Sequence, residues 1–143
     1  MLRLAIALLF SVTATMVHGV DLNSNVLKPC PDKPNCISTA EVAAKHGLEP
    51  LPFRGNLQQT REALVQLIST MPNSAIVQTQ DNYIHVTFTS KMFGFVDDVE
   101  FLLDETNHLT HIRSASRSGY YDFGVNKRRV EDIVAQWGRG GVK

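Results

Sequence analysis

Two short blocks hold the side chains best suited to chemistry. Asp97-Asp98-Val99-Glu100 gathers three carboxylates, and Arg113-Ser114-Ala115-Ser116-Arg117 brackets two hydroxyls with two guanidiniums. Paired carboxylates serve as general acid and base when burial raises the pKa of one of them. A guanidinium is a planar fork that grips a carboxylate or phosphate through two hydrogen bonds. Downstream, Ser118 to Gly124 leads to the basic run Lys127-Arg128-Arg129 at the start of a helical pattern. A helix N-terminus with free N–H groups and nearby cations favours an anion. The candidate ligand-binding residues are therefore Asp97, Asp98, Glu100, Arg113, Ser114, Ser116, Arg117, Asp122, Asn126 and Arg128. No catalytic residue is assigned. The competing account is that such charges pair across a sheet face, solvate it and set its register.

Other chemistries have less support. His108 and His111 straddle a turn and His85 lies a strand away, but no carboxylate or thiolate completes a familiar metal-ligand pattern. Asp122-Phe123-Gly124 matches a kinase tripeptide without the Gly-rich loop, strand lysine or His-Arg-Asp loop that kinase chemistry needs. There is no phosphate-binding P-loop. Ser114, Ser116 and Ser118 lack the adjacent histidine and acid of a serine hydrolase. No cofactor is implied.

The elements that must position these residues follow from periodicity. Asn56 and Gln59 can cap a helix whose apolar residues Leu57, Leu64, Leu67, Ile68 and Met71 recur at helical spacing, with Pro72 as its stop. Ser74 to Gln80 and Tyr83 to Ser90 read as strands around an Asp81-Asn82 turn, and Val96 to Leu103 and Leu109 to Arg117 as two more. Lys91 to Phe95 is an apolar loop. A last helix runs from about Asn126 to Trp137, with Gly138 ending it. Ser38 to Glu41 reads as a capping box for a short helix ended by Gly47, and Glu49 to Phe53 as extended. The expected fold is α+β: a four-stranded, mainly antiparallel sheet packed in two layers against two main helices, behind an N-terminal arm. If the third and fourth strands form a hairpin with Thr106-Asn107 at its tip, Phe101 faces Ile112 and Glu100 faces Arg113. Asp98 then comes within diagonal reach of Arg117.

The chain opens with Arg3, an apolar run to Phe10 and small residues before Val17-His18-Gly19. Residues 1–19 thus read as a secretory signal, cleaved or retained as an anchor, with 20–143 as one domain. The apolar run falls short of the roughly 20 residues of a transmembrane helix. The expected location is periplasmic or secreted. The only cysteines, Cys30 and Cys36, then pair as a structural disulfide. A redox pair or metal ligands are alternatives, although the spacing is neither Cys-x-x-Cys nor a zinc pattern. Basic and acidic residues number 14 each, so no global field attracts nucleic acid. The charges are segregated: acids dominate residues 81–105 and bases 111–143.

Three stretches carry a resemblance: Cys30 to Ser38, Phe93 to Phe101 and Arg113 to Arg128. Together and in this order they resemble the signature of the domain of unknown function 1499, found in bacteria and photosynthetic organisms. Thr39 and Tyr121 depart from the family pattern. The resemblance implies that the Asp97-Asp98-x-Glu100 and Arg113-Ser114-x-Ser116-Arg117 blocks belong to one feature; it transfers no catalytic or binding residue. The functional expectation is an exported binding or accessory domain. It would take an anionic or amphipathic small molecule at the Asp/Glu/Arg cluster, with Met92, Phe93 and Phe95 as an apolar lip. A hydrolase using Asp98 or Glu100, and a module that docks an envelope protein through Phe93 and Phe95, are the alternatives.

Overall fold

A computed structural model describes residues 27–40 and 48–140. Its elements, in chain order, are β1 (Cys36–Ser38), β2 (Leu51–Pro52), α1 (Leu57–Ser69), β3 (Ser74–Thr79), β4 (Tyr83–Thr89), β5 (Val96–Asp104), β6 (Leu109–Ser116) and α2 (Val125–Arg139). The strands make one antiparallel sheet in the order β1-β6-β5-β4-β3, and β2 also pairs with β6. The sheet therefore has six strands, not four. The two extra strands are three and two residues long, too short to show an alternating pattern. They form because β6 offers an edge whose backbone groups need partners.

Strand alternation sorts the side chains into two layers. Ile84, Val86 and Phe88 of β4, Val99, Phe101 and Leu103 of β5, and Ile112 of β6 pack with Leu64 and Ile68 of α1 and Val130, Ile133 and Trp137 of α2. Each such large apolar side chain contributes about 1.5–3 kcal/mol on burial. Both helices thus cover one sheet face. On the other face Leu27 packs with Tyr83 and Leu102, so the N-terminal arm crosses that side.

The helix ends follow local chemistry. Gln59 donates its backbone N–H to Asn56 Oδ1 at 2.9 Å, and Gln59 Oε1 accepts from the Asn56 N–H at 3.0 Å, closing the capping box of α1. Helix α2 runs through Gly138 and ends at Gly140 instead. The Arg54 guanidinium bonds the Trp137 carbonyl and lies 3.9 Å over its indole, holding the turn that Gly138 was expected to break. Ser38 lies in β1, and its hydroxyl accepts from the Ala40 N–H at 3.2 Å. The helix expected to follow it and the signal segment 1–19 lie outside the described residues. No described helix is long and apolar enough to cross a membrane. Cys30 and Cys36 form a disulfide.

Candidate functional site

The β5–β6 hairpin has the expected register: Glu100 faces Arg113 and Phe101 faces Ile112. The cluster it builds is split between two layers. Asp98, Glu100, Arg113 and Arg117 stand on the outer face. Asp97, Ser114 and Ser116, one residue out of phase, point toward α2.

On the outer face the acids of β5 meet the bases of β6. Arg113 Nη1 donates to Glu100 Oε2 at 2.8 Å, with both side chains largely buried. Arg117 grips Asp98 with both prongs, Nε and Nη2, each at 2.8 Å. Two residues of β4 complete these pairs. His85 Nε2 lies 2.7 Å from Asp98 Oδ1, and the Tyr83 hydroxyl donates to Glu100 Oε1 at 2.7 Å. Burial pushes the Asp98 carboxyl upward, but hydrogen bonds from Arg117 and His85 and their charges together hold it well below the usual carboxylate range. Burial, then the hydrogen bond to Glu100, pushes the Tyr83 phenol well above its ordinary value. An acid held so firmly ionised makes a weak general base at neutral pH.

The inner layer is a closed polar network. Asn126, 1% exposed, is its hub. Its Nδ2 donates to Ser116 Oγ and Asp122 Oδ2, each at 2.9 Å, and to the Asn35 carbonyl at 3.2 Å. Its Oδ1 accepts from Ser114 Oγ at 2.6 Å and Arg129 Nη1 at 2.7 Å. Arg129 Nη2 reaches Asp97 Oδ2 at 2.7 Å, and its guanidinium lies 4.6 Å over the Phe88 ring. The three stretches that carry the family resemblance meet here through Asn35, Asp97 and Asn126.

The helix N-terminus expected to hold an external anion is occupied from within. Asp122 Oδ1 accepts the Gly124 N–H and Oδ2 the Asn126 N–H, each at 2.9 Å. Burial raises the Asp122 pKa, but the bonds from Asn126 and Gly124 outweigh it and leave the group below its ordinary value. Arg128 turns away from the cluster to the Phe123 carbonyl at 2.9 Å. Arg113, Arg117 and Arg129 each meet a carboxylate, so their charges are paired within the protein, although the buried Arg113 Nε has no hydrogen-bond partner among the described residues.

A cavity of about 450 Å³ lies beside this network. Arg117 N donates to the Val96 carbonyl at 3.0 Å where the hairpin ends, so the β4–β5 loop and the β6–α2 loop leave side by side. Phe93 and Phe95 come from the first loop, Tyr121, Phe123 and Val125 from the second, and Asp97, Ser116 and Asp122 lie at the polar side. The Phe93 and Phe95 rings are 5.7 Å apart and Tyr121 and Phe123 5.0 Å apart. Ser90 shapes the first loop, its Oγ accepting from the Phe95 N–H at 3.0 Å and its carbonyl from Gly94 N at 3.0 Å. Gly94, at φ +66°, supplies the left-handed bend between the two phenylalanines. Phe123 also has positive φ, 56°, a conformation an aromatic residue adopts only under constraint. No lysine or arginine lines the cavity.

The candidate ligand-binding residues read from the sequence did not include Arg129, Tyr83, His85 or Asn35. Arg129 lies three residues after Asn126 and four before Ile133, on the buried stripe of α2, whereas Arg128 lies off it; that spacing was a usable signal. Tyr83 and His85 alternate onto the outer face, but only the β4–β5 register aims them at the acids. Asn35 had no local signal.

A sequence model described as a protein of unknown function, DUF1499, matches residues 26–137. No curated protein and no solved structure matches the chain.

Proposed function

The chain belongs to the DUF1499 family, and from that premise we propose that it is a binding module for an amphipathic small molecule, held in the cavity between the two aromatic loops. The observation that carries this reading is the cavity's composition: exposed aromatic rings at the mouth and carboxylate and hydroxyl oxygens behind them. Ligand sites combine an apolar lining with a few polar groups that fix orientation. The apolar body of the ligand lies along Phe93, Phe95 and Phe123. A head bearing hydroxyl or ammonium donors faces Asp97, Ser116 and Asp122. The absence of cations from the lining favours such a head over an anionic one. The hydrolase alternative gains no support, because Asp98 and Glu100 do not line this cavity and Asp98 is held by Arg117 and His85. An exported location accords with the disulfide and completes the proposal.

Calorimetric titration with monomeric dodecylammonium, dodecyl maltoside and dodecyl sulfate tests it. The first two are expected to bind, and the sulfate at least about tenfold more weakly; Phe93→Ala and Phe123→Ala are each expected to cost about tenfold, the effect of about 1.4 kcal/mol. Circular dichroism checks that the variants fold. No heat with any of the three, or folded variants that bind like the parent, overturns the proposal.

A further inference from the structure

The cavity does not account for all the apolar surface around it. Of nine large apolar side chains exposed among the described residues, only Ile76 and Val77 lie away from this end of the molecule. Met92, 82% exposed, and Tyr120, 66% exposed, belong to the same two loops yet do not line the cavity. A small ligand leaves both in water. Exposed patches this concentrated mark an interaction surface.

We infer that the two loop tips dock on an anionic lipid bilayer, with Met92, Phe93, Tyr120 and Phe123 entering the interfacial region. The form of the patch favours a bilayer over a protein: the side chains project from two separate tips, and most are aromatic. Phenylalanine and tyrosine suit the boundary between headgroups and acyl chains. Charge points the same way. Lys91 precedes Met92 and Arg128 follows the second loop, both exposed, whereas the exposed Arg117 and Lys127 are paired with Asp98 and Glu131. The acids at this end face inward or sideways: Asp97 holds Arg129, Asp122 caps α2, and Asp98 holds Arg117. One cation beside each exposed aromatic tip, Lys91 and Arg128, complements a negative membrane surface. Phe123 adds a third observation, since a left-handed aromatic residue that is 76% exposed gains little beyond an edge contact with Tyr121 in return for its strained backbone. A lipid phase supplies the missing contact. This inference shares Phe93 and Phe123 with the small-molecule reading but does not depend on it, and it extends that reading by turning the cavity mouth toward the membrane.

The test is flotation of the purified chain with vesicles of phosphatidylcholine alone and of phosphatidylcholine with phosphatidylglycerol. The chain is expected to float with the anionic vesicles, and the association to weaken as salt is raised. Met92→Ser with Tyr120→Ser is expected to reduce partitioning by at least about tenfold while leaving dodecylammonium binding intact, because neither residue lines the cavity. Lys91→Ala with Arg128→Gln is expected to abolish the preference for anionic vesicles. A chain that stays in solution with both vesicle types overturns the inference, as does a double serine variant that floats like the parent. Concentration-dependent dimerisation through the patch, without flotation, overturns it too and assigns the surface to a second copy. Loss of dodecylammonium binding with flotation unchanged sinks the cavity reading alone.

Discussion

Asp97 and Asp98 are adjacent in the chain and opposite in circumstance. Asp97 faces α2 and pairs with Arg129, both side chains nearly buried. Asp98 faces outward and pairs with Arg117, which is 51% exposed. Removing one partner of a buried pair strands the other charge, so Arg129→Ala should destabilise the fold by about 3–5 kcal/mol. Arg117→Ala, acting on a solvent-screened pair, should cost about 1 kcal/mol or less. Urea denaturation of the two variants measures the contrast. Asp98 also predicts a pH effect. Its folded pKa is depressed, so ionisation favours the folded state above the ordinary value of 3.8, and that contribution is lost as pH falls through and below it. The difference in Tm between the parent and Asp98→Asn should be full near neutrality and shrink below pH 3.8. At this scale the sequence was legible for the pairs that cross one hairpin, Glu100–Arg113 and Asp98–Arg117, because alternation and a turn position fix them. It was illegible for Asn35, whose partners depend on packing between distant segments.

At the scale of the element, the start of α2 is the informative case. Gly124 occupies the cap position with φ 75° and offers no side chain, so Asp122 reaches forward to take the Gly124 and Asn126 N–H groups. Asp122→Ala should destabilise the helix start by about 1–2 kcal/mol, and Asp122→Asn by less, both read from chemical denaturation. The same substitution frees the loop that carries Tyr121 and Phe123, so amphiphile binding should fall with it. The longer strands and both described helices were readable from period-two and helical spacing. The short β1 and β2 were not: two or three residues carry no period, and their strand character comes from β6. Gly138 misled for a related reason, since Arg54, far away in the sequence, stabilises the turn it occupies.

Across the whole molecule, the segregated charges are reconciled by topology. The acids of β5 pair with bases on β6 and α2, so the separation along the chain becomes neutrality in space. The location of the aromatic surface was not legible, because it depends on two loops meeting where the hairpin register brings Asp97 opposite Ser116. The disulfide supports that meeting point at one remove. It closes the loop containing Asn35, whose carbonyl accepts from Ser116 N and whose side chain donates to the Gly119 carbonyl at 2.7 Å. Replacing both cysteines with serine should cost about 2 kcal/mol in global stability, and calorimetry of the oxidised parent against the double variant checks it.

The pairing of β1 with β6 also sets an order of events. Asn35 and Asn126 are separated by 91 positions, and both must be in place before the inner network can close. A chain emerging N-terminus first cannot seat its cysteine loop until β6 and the first turn of α2 have followed. Contacts so remote in sequence make folding slow relative to locally wired domains. The molecule therefore stays open along one seam until β6 and the start of α2 have been made, and its aromatic loops become a shared surface only in that step.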